Sequence, residues 1–277
     1  MFTAVLAAAA MHASWNALIR TDDDRFASVA RLSLCSGLIA LILIPFVPIP
    51  EGAAWIWLAG SIALHIGYKL FLIQAYAHGD MGQVYPIARG LAPLAVALFG
   101  AVWLGERLPP EKVAAVAAIG VGVMLIARGI GRDRRRMAPR ALGYALLTAA
   151  FTAGYTLADG AGARLAETAT GYAVWLFAFD GAGMLAALLV ARGAGPLRVG
   201  VRDWGQGAAA GMLSMGSYWV AIWAFTKAPI AMVAALRETS VLFAVLIAAA
   251  FLRERLTWVR VIAAVLIVGG AAGLRLG

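Results

Sequence analysis

The sequence predicts an all-α membrane protein: ten transmembrane helices, arranged as two five-helix inverted-topology repeats around a central cavity. Three observations predict it. The chain is 63% hydrophobic and only 13% charged, about half the charged fraction with which a soluble domain covers its surface. Apolar runs of about 20 residues recur along the whole length, each long enough to cross a hydrocarbon core of about 30 Å as a helix. A Glu-Arg-Leu triplet, with an arginine inside the apolar run before it, occurs twice at one spacing.

The spans fall near residues 2–19, 27–47, 54–76, 82–104, 112–128, 141–158, 170–190, 204–226, 229–252 and 258–274. The first run has no positive charge ahead of it, and His12, Trp15 and Asn16 interrupt its end. It therefore reads as a spanning helix and not as a cleaved signal. Proline and glycine punctuate the gaps, as at Pro45, Pro48 and Pro50 or at Pro109 and Pro110. No short alternating strands of the kind a barrel needs are present. The single cysteine, Cys35, lies in an apolar run and reads as a small buried residue. The net charge of +9 comes from lysines and arginines between apolar runs. Membrane topology accounts for them, and a nucleic-acid partner is not expected.

The halves divide as residues 1–129, an Arg-rich linker at 130–140, and residues 141–277; six arginines lie between Arg128 and Arg140. Trp103-Leu104-Gly105-Glu106-Arg107-Leu108 ends the fourth span and Phe251-Leu252-Arg253-Glu254-Arg255-Leu256 ends the ninth. The offset of 148 (254 minus 106) also pairs Arg89 with Arg237 and Gly122 with Gly270. An odd number of spans per half inserts the halves with opposite orientation. Secondary transporters are often built so, with the substrate at the midplane between halves.

Polar residues three and four apart share a helix face. Span one carries His12, Trp15 and Asn16; span six carries Thr152, Tyr155, Thr156 and Asp159. Span three carries His65, Tyr68 and Lys69; span eight carries Ser214, Ser217, Tyr218 and Trp219; span four carries Tyr85 and Arg89; span nine carries Arg237 and Glu238. Such faces avoid lipid and converge on a shared interior. Of these, His12, Trp15, Asn16, His65, Tyr68, Lys69, Tyr85, Arg89, Tyr155, Ser214, Tyr218, Trp219, Arg237 and Glu238 are the candidate substrate-binding residues. Each also has a structural reading, as a hydrogen bond or ion pair between helices. Asp180, mid-span in helix seven, reads equally as a salt bridge to Lys69 or as a substrate contact. Lys69, Arg89 and Arg237 against Glu238 and Asp180 sum to a positive interior. A positive, aromatic-lined cavity suits a carboxylate on an apolar or aromatic body. Glu238 follows Arg237 directly and Gly90 follows Arg89. Arg89, with Lys69, is accordingly the expected carboxylate contact, and Arg237 the arginine neutralised by an acid. Pro86, Gly90 and Pro93 interrupt helix four and mark a hinge.

Trp15-Asn16, Ala75-Tyr76-Ala77, Pro93, the Leu104–Leu108 turn, the glycine-rich fifth span and the repeated turn at Leu252–Leu256 together resemble the ten-helix, EamA-type members of the drug/metabolite transporter superfamily. Within it the chain looks most similar to bacterial amino-acid exporters of the YddG type. The resemblance implies a two-times-five inverted repeat, transport without ATP hydrolysis and a place in the bacterial inner (cytoplasmic) membrane as a multi-pass protein. Four-helix relatives couple protons through a glutamate on the first helix; here that helix has no acid, and His12 lies nearest.

The function expected is therefore a secondary transporter exporting amino acids or similar small carboxylate-bearing metabolites by alternating access. The alternative is an intramembrane enzyme or a channel, but no His-Glu-x-x-His and no Gly-x-Ser-x-Gly segment is present. No cofactor or metal is expected. Small residues at Gly207 and Gly211 suggest a packing seam, and those of spans five and ten a face for weak self-association, so that the protein is a monomer or weak homodimer. Fifteen Lys or Arg lie in odd-numbered connections against five in even-numbered ones, which puts both termini outside the cytoplasm. A C-terminal alkaline phosphatase fusion is expected to be active; an inactive fusion, or a C-terminal fluorescent fusion that folds brightly inside the cell, refutes that orientation.

Overall fold

The computed structural model describes residues 1–19, 24–79, 81–128, 137–252 and 257–276. They form twelve α-helices: α1 (Phe2–Ile19), α2 (Arg25–Leu43), α3 (Ala54–His78), α4 (Met81–Gly90), α5 (Ala92–Trp103), α6 (Pro110–Arg128), α7 (Pro139–Leu165), α8 (Ala169–Arg192), α9 (Val201–Phe225), α10 (Ile230–Arg237), α11 (Ser240–Leu252) and α12 (Trp258–Leu276). No strand occurs among the described residues. Seven of the helices are long and apolar enough to cross a membrane, and a shorter apolar stretch, Ile87–Trp103, runs from the end of α4 through α5. Leu41, Ile42, Phe46, Ile56, Leu98, Val102, Val190 and Val265 stand on the outer surface. Large apolar side chains in such number on the outside face hydrocarbon, and the chain is a multi-pass membrane protein.

The helix ends follow local chemistry. Asp24 caps α2 by accepting from the Ala27 backbone N–H at 3.1 Å, and Thr168 caps α8 through Gly171 N–H at 2.9 Å. Gly193, at φ +65°, closes α8, and Gly105, at φ +68°, turns the chain after α5. The apolar runs near 82–104 and 229–252 are each two helices. The first breaks at Leu91, beside Gly90 and with Pro93 near the start of α5; the second breaks at Glu238 and Thr239. Proline without an N–H accounts for the first break. The linker segment 129–136 and the second Glu-Arg-Leu turn, 253–256, lie outside the described residues.

Four pairings dominate the packing: α3 on α7, α6 on α12, α2 on α8 and α1 on α9. Glycine makes the closest of them. A Cβ on Gly181 of α8 would lie 2.8 Å from Gly37 Cα and 2.8 Å from Ser33 O of α2. Gly207 and Gly211 of α9 likewise lie against Arg31, Leu32 and Cys35 of α2. The glycines of spans five and ten work within the molecule. Gly122 faces Ile267 and Ala263 of α12, and Gly270 faces Ala115 and Ile119 of α6, each at under 3 Å from a built Cβ. Gly269 faces open space.

Gly181→Ala is expected to lower the melting temperature in detergent, corresponding to about 1–3 kcal/mol of overpacking against backbone. Gly143→Ala, where nothing lies within 4 Å of a built Cβ, is the control. It is expected to raise stability or leave it unchanged, by at most about 1 kcal/mol. Equal melting temperatures for both variants refute the backbone seam.

Candidate functional site

A cavity of about 140 Å³ lies among α1, α2, α3, α7, α8 and α9 and the ends of α4 and α10. The helical repeat brings its lining together. His12, Trp15 and Asn16 project from one face of α1; His65, Tyr68 and Lys69 from one face of α3; Ser214 and Tyr218 from one face of α9. Tyr155, Arg89 and Arg237 complete that set of expected residues on the wall. The lining also runs past Ile19, Val29, Ile73 and Tyr76. These lie where α1 and α3 end and α2 begins, near the Arg192–Asp24 pair at 2.8 Å. The remaining expected residues fall elsewhere. Trp219 is off the wall and donates its indole N–H to Thr170 Oγ1 at 3.1 Å. Glu238 borders a small adjoining pocket with Pro93 and Thr152. The side chains of Tyr85 and Pro86 lie outside the described residues.

The pairing of charges differs from expectation. Arg89 is the neutralised arginine: its Nη2 lies 2.9 Å from Glu238 Oε1 and its Nε 3.1 Å from Oε2. Lys69 is also neutralised, at 2.7 and 2.5 Å from the two oxygens of Asp180, and donates to Ser33 at 2.8 Å. Arg237 carries no acid partner among the described residues. Its guanidinium lies over the Tyr218 ring at 4.6 Å. Arg89 and Lys69, the expected carboxylate contacts, are thus each paired with an acid of the protein, and the expected pairing of Arg237 with Glu238 is replaced by Arg89 with Glu238. The reason is three-dimensional: Arg237 and Glu238 are neighbours in sequence, but at the end of α10 the two side chains leave the helix in different directions. Glu238 turns across to α4. The acid at Asp180 takes the salt-bridge role, one of the two that the sequence left open.

Aromatic rings floor the cavity. His65 stacks on Tyr155 at 3.9 Å, and Tyr155 packs edge-on against Tyr68 at 5.4 Å and Tyr218 at 5.9 Å. His12 and Trp15 meet at 4.9 Å. The Trp15 indole N–H is buried and has no acceptor among the described residues. The Asn16 amide donates back to His12 O at 2.8 Å, and Asn16 lines the cavity.

Sequence reasoning missed Asp159 as a site residue. It is fully buried. Its Oδ1 accepts from Ser61 Oγ at 2.5 Å and Tyr172 OH at 3.1 Å. Its Oδ2 meets His65 Nε2 at 3.0 Å and accepts from Tyr218 OH at 2.5 Å. Four partners around two oxygens match the four lone pairs of an ionised carboxylate. The signal was present, since Asp159 continues the Thr152, Tyr155, Thr156 stripe. The span expected at 141–158 stops just short of it, whereas α7 runs on to Leu165. Asp159 also corrects the charge count. Three buried acids balance Lys69, Arg89 and Arg237, and the positive character is local to Arg237. The Glu-Arg-Leu turn has a structural role. Glu106 accepts from the Ile230 backbone N–H at 2.8 Å, capping α10, and pairs with Arg164 at the end of α7.

Among the described residues no cluster of His, Cys, Asp or Glu is placed to hold a metal ion. A protein of known crystal structure, 21% identical, matches this fold with a TM-score of 0.80 over 99% of this chain and 96% of that one. The sequence profile of the EamA-like transporter family matches residues 1–128 and 139–276. With that match spanning nearly the whole chain, and with an interior cavity among apolar helices, the protein belongs to the EamA-like transporter family.

Proposed function

We propose that the chain is a secondary transporter that exports amino acids, or similar small carboxylates with apolar or aromatic bodies, across the bacterial inner membrane by alternating access. The observation that carries the reading is Arg237. It faces an aromatic cavity and makes no ion pair with an acid among the described residues, whereas Lys69 and Arg89 are each in direct contact with a carboxylate. An arginine in that setting holds a carboxylate with two charge-assisted hydrogen bonds. Tyr155, Tyr68, His65 and Trp15 supply faces and edges for a ring or an aliphatic chain.

The alternating-access part includes our reading of the chain as two five-helix repeats of opposite orientation. Counting α4 with α5 and α10 with α11 as one broken span each makes ten spans. Under exchange of the halves, the packing of α1 on α9 becomes that of α7 on α3, and the α2–α8 and α6–α12 pairings map onto themselves. The family profile divides at the same place, between residues 128 and 139. Discontinuous spans next to a midplane site are the transporter pattern, and the breaks after Arg89 and Arg237 are where half-helices would swing. Several residues lining the cavity approach the arginine-rich end, which the positive-inside rule makes cytoplasmic; this is the face from which an exporter loads. The protein works as a monomer or weak homodimer with no cofactor.

In liposomes, labelled L-phenylalanine and related amino acids are expected to be carried by the parent protein. Arg237→Gln is expected to lower kcat/KM for L-phenylalanine by about ten- to hundred-fold, the value of a hydrogen bond to a charged group. The methyl ester is expected to lose less than about two-fold, because it brings no charge for the arginine to hold. Arg89→Gln is expected instead to lower the melting temperature and to affect acid and ester alike, since it strands Glu238. Equal losses of acid and ester in Arg237→Gln refute the carboxylate assignment, and the absence of flux for every amino acid tried refutes the substrate class.

A further inference from the structure

Tyr218 belongs to two groups at once. Its ring lies on the cavity wall beneath the Arg237 guanidinium, at 4.6 Å. Its hydroxyl donates to Asp159 at 2.5 Å. Asp159 in turn ties α3 through Ser61 and His65, α8 through Tyr172 and α9 through Tyr218 onto α7. This knot closes the end of the cavity away from Tyr76. Behind it Ile230 is pressed onto Gly160, where a Cβ would come within 2.3 Å of Ile230 Cδ1. Beyond that, Arg164 joins Glu106 and donates to the carbonyls of Phe225 at 2.8 Å and Ala228 at 3.0 Å. One end of the cavity is sealed in three layers, and the innermost layer shares a residue with the wall.

A cation over the face of a phenol draws electron density from the ring and makes its hydroxyl a stronger donor. The Tyr218–Asp159 bond is therefore strongest while the charge of Arg237 is unmet. An anion on Arg237 offsets that charge and weakens the bond. We propose that Tyr218 couples the cavity to the seal, so that a substrate carboxylate on Arg237 loosens the Asp159 knot and favours opening at the Arg164 end. The inference rests on the alternating-access reading, and it makes Tyr218 a positioning residue that acts through Asp159.

The test is the rate at which a maleimide labels Ala163→Cys in a Cys35→Ala background, without substrate. Ala163 is buried and lies one turn beyond Asp159 on the same face of α7. Tyr218→Phe and Tyr172→Phe are each expected to raise labelling about ten-fold, the effect of one lost bond to a buried carboxylate. Arg237→Gln is expected to raise it severalfold, and Arg237→Lys, which keeps the cation, to leave it at the parent rate. Combined with Tyr218→Phe, Arg237→Gln is expected to add nothing, because the bond through which it acts is already gone. Parent-rate labelling in Arg237→Gln, or multiplication with Tyr218→Phe, overturns the coupling. The Arg237→Gln and Arg237→Lys comparison decides the matter even if Tyr218→Phe does not fold. Because no substrate is added, loss of the transporter reading in the flux assay leaves this result to stand or fall separately.

Discussion

An ionised side chain inside a bilayer is stable only where other groups of the protein replace water around it, and that constraint organises the interior of this chain. Lys69 of α3 draws Asp180 of α8 and Ser33 of α2 to one point. Arg89 at the end of α4 draws Glu238 from the end of α10. Asp159 of α7 collects α3, α8 and α9. Each charge binds helices distant in sequence, so satisfying three acids and two bases also determines which helices touch. Close backbone approach makes the reach short enough: Gly37 and Gly181 bring α2 and α8 together one turn from Ser33 and beside Asp180.

Arg237, on the cavity wall, makes no ion pair with an acid among the described residues. It sits in the last turn of a short helix, where the unsatisfied carbonyls and the helix dipole favour positive charge, and its guanidinium lies over the π face of Tyr218. Those interactions tolerate a cation but do not saturate it. The two arginines share an offset of 148. Their surroundings differ because Glu238 follows one and Gly90 follows the other. Gly90 is needed for packing, since a Cβ there would lie 2.6 Å from Met124 and 3.0 Å from Gly120 O. A repeat that was equal in sequence at this point would have neutralised both arginines or neither.

The aromatic groups divide along similar lines. Tyr155, Tyr68 and His12 present surface to the cavity, whereas Tyr172 is fully buried and donates to Asp159. Tyr218 does both. A phenol is suited to that double use because its ring and its hydroxyl meet different chemistry at opposite ends.

The sequence by itself determined the all-helical membrane character, the position of every described long helix to within several residues, the break in helix four, and the polar faces that line the cavity. Hydropathy and the helical repeat are local properties, and a bilayer leaves the chain few alternatives to helix. What it did not determine was the pairing of charges. Neighbours in sequence suggested that Glu238 belongs to Arg237, but consecutive residues on a helix point about 100° apart, and α4 lies where Glu238 points. Nor did it reveal Asp159 as the centre of a knot, because the last turns of α7 carry Gly160, Gly162 and Arg164 and look like the end of a span. Only the tertiary arrangement shows that these turns are packed around by Tyr172 and Ile230, which is why the helix continues there. The identity of an ion pair is a statement about distance between helices, and distance between helices is what a one-dimensional pattern does not contain.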